Sequence, residues 1–144
     1  MNKLAPGLFE ATGKLVIVID DEPAVLGSLV LLLQPLGCET VTTTFQGDPA
    51  SEIMNLAEAC PRRPDLVLVD YGLSIGYTGL DVVADLRAVF GEDLPAVVLI
   101  DEISSEPFAI ANESGLPTLR KPLNAEDLLA AFQELIEPSE MPPA

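Results

Sequence analysis

Leu15-Val16-Ile17-Val18-Ile19 is an unbroken apolar run, mostly β-branched, that ends on Asp20-Asp21-Glu22-Pro23. Such a run predicts a strand buried on both faces, as in the middle of a parallel sheet. Asp65-Leu66-Val67-Leu68-Val69-Asp70 repeats the pattern and also finishes on a carboxylate, and residues 95–100 give a third buried strand. Residues 39–44 are rich in Val and Thr and predict a half-exposed strand, and residues 117–120 a short one. Between the strands, apolar residues recur at helical spacing. Val25, Leu29, Leu32, Leu33 and Leu36 mark a helix over residues 23–36, stopped by Gly37. Ile53, Leu56 and Ala57 mark one over 49–59, closed by Pro61 and Pro64, and Leu80, Val82, Val83, Leu86 and Val89 one over 79–90. Asn124 caps a last helix reaching Ile136, with Leu128, Leu129, Phe132 and Leu135 inward. Residues 101–114 read as weakly helical at best, broken at Pro107.

The alternation of strands and helices predicts an α/β fold, a doubly wound parallel sheet covered by helices on both faces. Right-handed crossovers fix most of its topology. One domain is expected over residues 14–137, preceded by an arm or linker over 1–13 and followed by a Pro-rich, disordered tail over 138–144.

Charge narrows the function classes. The chain has 7 basic and 23 acidic side chains, a net charge of −16, which argues against nucleic acid and anionic lipid as partners. Cys38 and Cys60 lack metal-site spacing, and there is no His to complete a zinc site. They read as small, buried or half-buried thiols in a reducing compartment. Residues 1–11 do not form a signal peptide, and the apolar stretch at 25–33 is too short to span a bilayer, so a cytoplasmic protein is expected.

The acids carry the chemistry. Asp20 and Asp21 leave the first strand, Asp70 the third and Lys121 the last, all at the carboxyl edge where open α/β sheets bind ligands. Singly, each has a plain structural reading: Asp20 or Asp21 caps a helix, Asp70 makes a turn, Lys121 is a solvated charge. Together they make a pocket of repelling carboxylates that calls for a cation. Oxygen donors without His or Cys point to Mg²⁺. A carboxylate nucleophile, a magnesium ion and a lysine are the parts needed to form an aspartyl phosphate, with Asp70 as nucleophile.

This set resembles the receiver domain of two-component response regulators. The matching pieces are Val-Ile-Asp-Asp-Glu-Pro at 18–23, Pro-Asp-Leu-Val-Leu-Val-Asp at 64–70, Gly79-Leu80-Asp81, Pro95-Ala96-Val97-Val98-Leu99 and Lys121-Pro122. The resemblance implies a flavodoxin-like, five-stranded parallel sheet of order 2-1-3-4-5. It implies Asp70 as phosphoacceptor and Asp20 and Asp21 as the Mg²⁺-holding pair. It adds the Gly72 backbone carbonyl as a further metal ligand, Lys121 as the phosphate-binding lysine, and a cis bond before Pro122. The partner it implies is a sensor histidine kinase or a histidine phosphotransfer domain. A loop after Asp70 that is one residue longer than usual, Gly115-Leu116-Pro117 and a short fourth-helix region resemble receivers at the C-terminus of hybrid sensor kinases.

Three positions depart from the family pattern. Ile100 and Asp101 stand where receivers carry Thr or Ser and then a small residue, and Thr118 replaces the aromatic switch residue. Asp101 also brings a further negative charge toward an incoming phosphate. The first reading is therefore a phosphoryl-accepting receiver that signals by protein contact, with no DNA-binding output after the last helix. It would be a single-domain regulator or the excised receiver of a hybrid kinase. The second is a pseudo-receiver serving as an interaction or dimerisation module. A haloacid-dehalogenase-like hydrolase fits poorly, because it needs Asp-x-Asp where this chain has Asp-Asp. Leu116, Leu119 and Leu123 are either core or a homodimer surface.

Overall fold

The apolar run at residues 15–19 is a strand in the interior of a five-stranded sheet. The computed structural model describes residues 11–73, 76–101 and 106–136. Within them the strands are β1 (Leu15–Ile19), β2 (Glu39–Thr43), β3 (Leu66–Asp70), β4 (Ala96–Ile100) and β5 (Thr118–Arg120). The helices between and after them are α1 (Pro23–Leu33), α2 (Pro49–Ala59), α3 (Gly79–Phe90), α4 (Glu106–Glu113) and α5 (Ala125–Leu135). All pairings are parallel, in the order β2-β1-β3-β4-β5. This is the flavodoxin-like order that the resemblance implied.

Period-two alternation along the strands divides the interior into two cores. Val16, Val18, Leu66, Leu68, Val97 and Leu99 face α1 and α5, against Leu29, Leu33, Leu128 and Phe132. Ile17, Ile19, Val67, Val69, Val98 and Ile100 face α2, α3 and α4, against Ile53, Leu56, Val82, Leu86 and Ala111. β1, β3 and β4 are buried at every residue, which is why their sequences show no polar alternation. β2 lies at an edge and is only partly covered, as its Thr content suggests.

Three expectations need correction. The first α-helix ends at Leu33 rather than Leu36, and Gln34-Pro35-Leu36 forms a 3₁₀ turn. Pro35 has no N–H to continue the α ladder, so the chain tightens instead. Gly37 then takes a left-handed conformation, φ 86°, and ends the turn. The second correction concerns α4. Pro107 is its second residue, where a missing N–H costs nothing, so the proline starts this helix rather than breaking it. Residues 102–105 of that region lie outside the described residues. Third, residues 11–13 pack with the domain instead of forming an arm. Ala11 is fully buried against α1 and α5, and the Gly13 N–H donates to the Gly37 carbonyl at 2.8 Å.

The rest of the arm (residues 1–10), the tail, and residues 74–75 of the long loop after Asp70 lie outside the described residues. Leu123 is buried and Leu119 packs partly with the α1–α5 core, while Leu116 packs on the opposite one, so all three contribute to the interior. Cys38 and Cys60 are both half-buried. Burial and the neighbouring Asp65 charge push the Cys38 thiol up to about 11. Among the described residues, no helix is long and apolar enough to cross a membrane.

Candidate functional site

The carboxyl ends of β1, β3 and β5 bring the expected residues together. Asp20 follows β1 directly, and its own N–H donates to the Thr43 carbonyl at 3.3 Å, which ties it to β2. Its side chain is fully buried. Asp20 Oδ1 accepts the Glu22 N–H at 2.9 Å, a local turn that turns the chain into α1. Glu22 is the N-cap of α1 and makes no side-chain cap, with Pro23 opening the helix. Helix capping therefore does not account for the two acids. Asp20 is instead bound to the lysine across the sheet. Asp70 is the last residue of β3 and is also buried. The loop after it is closed by a hydrogen bond from the Gly79 N–H to the Tyr71 carbonyl at 2.8 Å.

Lys121 follows β5 and is held in the ladder by its N–H, which donates to the Ile100 carbonyl at 2.8 Å. The Lys121–Pro122 bond is cis, as the resemblance implied. The ammonium donates to Asp70 Oδ1 at 2.9 Å and to Asp20 Oδ2 at 3.1 Å. Asp101 Oδ1 stands 3.6 Å from the same nitrogen.

Charge is unbalanced here. Asp20, Asp21 and Asp70 present carboxylate oxygens that all lie within 4.8 Å of one another. One lysine answers three acids. Burial pushes the Asp70 carboxyl up to about 6; the Lys121 hydrogen bond and charge oppose this, and the Asp20 and Asp21 charges add to it. For Lys121, burial alone lowers the ammonium, but hydrogen bonds to Asp70 and Asp20 and their charges outweigh it and hold it above its ordinary value. A carboxyl strained upward beside two other acids is the electrostatic signature of a site that gains from a divalent cation. The donor set, oxygen only and partly open, suits Mg²⁺.

A cleft of about 280 Å³ opens over Asp70, lined by Tyr71, Gly72, Leu99, Ile100, Asp101 and Pro107. Gly72 lies in this lining beside Asp70. Ile100 lines this cleft while its residue is 2% exposed and packed with the α2–α4 core, so it offers no polar group to the cleft. Thr118 is half-buried, and its hydroxyl donates to the Leu116 carbonyl at 3.2 Å rather than toward Asp70.

A family model for the response regulator receiver domain matches residues 16–133. The chain belongs to the receiver family. Among curated relatives, the DNA-binding response regulator MtrA of Mycolicibacterium smegmatis is 31% identical over 130 residues, 90% of this chain and 53% of that protein. The transcriptional regulatory protein KdpE of Mycobacterium tuberculosis is 31% identical over 85% of this chain and 50% of its own length. This receiver chain therefore spans about half the length of the curated relatives it matches. Among solved structures, a response regulator protein from Burkholderia pseudomallei, described with a phosphorylated aspartic acid and a calcium ion, is 29% identical with a TM-score of 0.65; the match covers 84% of this chain and 67% of that one. The receiver domain of a sensor histidine kinase from Pseudomonas aeruginosa, described with magnesium in its active-site cleft, has a TM-score of 0.69 at 20% identity, covering 86% of this chain and 98% of that one. At that identity it shows the shared receiver fold.

Two contacts of this receiver were not foreseen from sequence. The Glu22 N–H on Asp20 has a readable signal, an Asp two residues before the N-cap of a helix. The Asp101–Lys121 approach was signalled only through the family pattern, which puts both residues near the phosphate; the contact itself depends on β4 and β5 ending side by side.

Proposed function

We propose that this receiver takes a phosphoryl group from the phosphohistidine of a sensor histidine kinase or a histidine phosphotransfer domain onto Asp70. The observation that carries this reading is the Lys121 ammonium held between Asp20 and Asp70, with Asp70 lining the cleft. An Asp70 carboxylate oxygen forms the new P–O bond as the donor's P–N bond breaks, with its electron pair leaving on the imidazole nitrogen. Lys121 then passes from Asp70 Oδ1 to a phosphoryl oxygen. Asp20, Asp21, Asp70 and the Gly72 carbonyl would hold Mg²⁺, which when bound offsets the carboxylate charge and the charge on the transferred group.

For the output we infer contact with other proteins, in the cytoplasm, rather than with DNA. The net charge of −16 leaves little surface for phosphate neutralisation. A second reading, a receiver-shaped interaction module with little phosphoryl chemistry, is favoured by one feature, the apolar Ile100 with Asp101 beside it at the cleft.

Intact-mass analysis after incubation with acetyl phosphate and Mg²⁺ separates the two. The phosphoacceptor reading expects one phosphoryl adduct, absent without metal and absent in Asp70→Asn. No adduct together with no Mg²⁺ binding would favour the interaction module.

A further inference from the structure

Asp101 stands at the meeting point of two clefts. One, above, lies over Asp70. The other, about 290 Å³, runs between α1 and the start of α5 and is lined by Glu22, Val25, Ser28, Leu29, Leu32, Lys121, Pro122 and Leu123 as well as Asp101. Asp101 thus lines the cleft over Asp70 on one side and lies with Lys121 in the other. Its side chain is 85% exposed, yet its oxygen lies 3.6 Å from the nitrogen that must bind the incoming phosphoryl group. The three acids below it already exceed the one lysine. Asp101 therefore adds no charge that the fold needs. It adds one where a phosphoryl donor arrives.

We propose that Asp101 is a specificity-determining residue that selects phosphoryl donors by their charge. The proposal rests on the phosphoacceptor reading. Asp101 repels freely diffusing anionic donors and competes with them for Lys121. A donor that brings a cation of its own to Asp101, such as a protein with a basic residue beside its phosphohistidine, removes both obstacles by pairing with it. Among the described residues, the other charged groups of these clefts and of the acid cluster are Glu22, Asp20, Asp21, Asp70 and Lys121, and of these only Lys121 favours an anion. The effect is electrostatic and solvent-exposed, so it is modest and weakens with salt.

The test compares two small donors of different charge on the wild-type domain, Asp101→Asn and Asp101→Glu, with Mg²⁺. Acetyl phosphate is a dianion at neutral pH and leaves acetate when Asp70 takes its phosphoryl group. Phosphoramidate carries one net negative charge and leaves ammonia. The expected result is a rate of adduct formation about five-fold higher in Asp101→Asn with acetyl phosphate at low salt, and a smaller gain with phosphoramidate. The gain should fall as ionic strength rises, and Asp101→Glu should behave as wild type. Adduct in the wild type with equal rates in Asp101→Asn, or a gain that ignores donor charge, overturns the selection by Asp101 and leaves the phosphoacceptor reading standing. No adduct in any variant overturns the phosphoacceptor reading and this inference with it. Adduct in Asp101→Asn alone is the strongest form of support.

Discussion

Gly79, the first residue of α3, sits directly against the backbone of Asp70: a Cβ at position 79 would stand 2.5 Å from the Asp70 carbonyl oxygen and 3.2 Å from Tyr71 Cα. The neighbour is main chain, so it cannot swing aside. Gly79→Ala is expected to displace the strand end that carries Asp70 and to destabilise the domain by about 1–3 kcal/mol. Urea unfolding checks the stability, and the acetyl phosphate adduct yield should fall with it. An alanine variant of wild-type stability would show that the loop yields freely.

Asp70 is costly when ionised. Its folded value of about 6 lies above the 3.8 of the free carboxyl, so the native state holds the proton more tightly than the unfolded chain. The cost is complete above pH 6, shrinks as pH falls through 6, and is gone below 3.8. Asp70→Asn removes it. Without divalent metal the variant should be more stable than wild type at pH 7.5, by on the order of 1–3 kcal/mol, with the difference closing toward pH 4. Denaturant midpoints at the two pH values, in chelator, decide this. A variant less stable than wild type at pH 7.5 would mean that the Lys121 pairing outweighs burial.

Lys121→Ala leaves Asp20, fully buried, and Asp70 without their ammonium. Stability should drop by about 3 kcal/mol in chelator. Millimolar Mg²⁺ should return part of that, because a divalent ion supplies the missing charge. Thermal unfolding with and without metal reads both effects, and a midpoint indifferent to Mg²⁺ would count against a cation site on the three acids.

Ile100 fills the place where a hydroxyl would face the cleft, and it is packed with the α2–α4 core. Ile100→Thr should cost about 1–2 kcal/mol in lost burial while giving the phosphoryl group a donor. With a beryllofluoride phosphate mimic, backbone amide shifts near Thr118 should be small in the wild type and larger in the variant. Large wild-type shifts around Thr118 would sink this account of a weakened switch.

Much of this architecture could be read before any coordinates, for definite reasons. β1, β3 and β4 are buried on both faces, so their sequences had to be continuous apolar runs. α3 and α5 were legible from their apolar spacing, and α5 from its Asn124 cap; the structure adds a capping box to each, Thr78 with Asp81 and Asn124 with Asp127. α4 did not, because it buries a single residue, Ala111, and a helix with so small a footprint leaves almost no apolar period. At the site, the identity of the acids was legible but not their division of labour. Asp20 and Asp21 are chemically alike. Only the end of a twisted strand decides that Asp20 turns inward to Lys121 while Asp21 stays part-exposed.

The five strands do not hold the site equally. Asp20 follows, and Asp70 ends, a strand with neighbours on both sides, whereas Lys121 follows β5, three residues long and paired with β4 alone. Sheet margins open locally at lower free energy than sheet centres. The acids are thus fixed furniture and the ammonium is the part on a hinge. Loosening the margin of the sheet would withdraw the positive charge and leave the acids in place, a way of turning the site down without unfolding the domain.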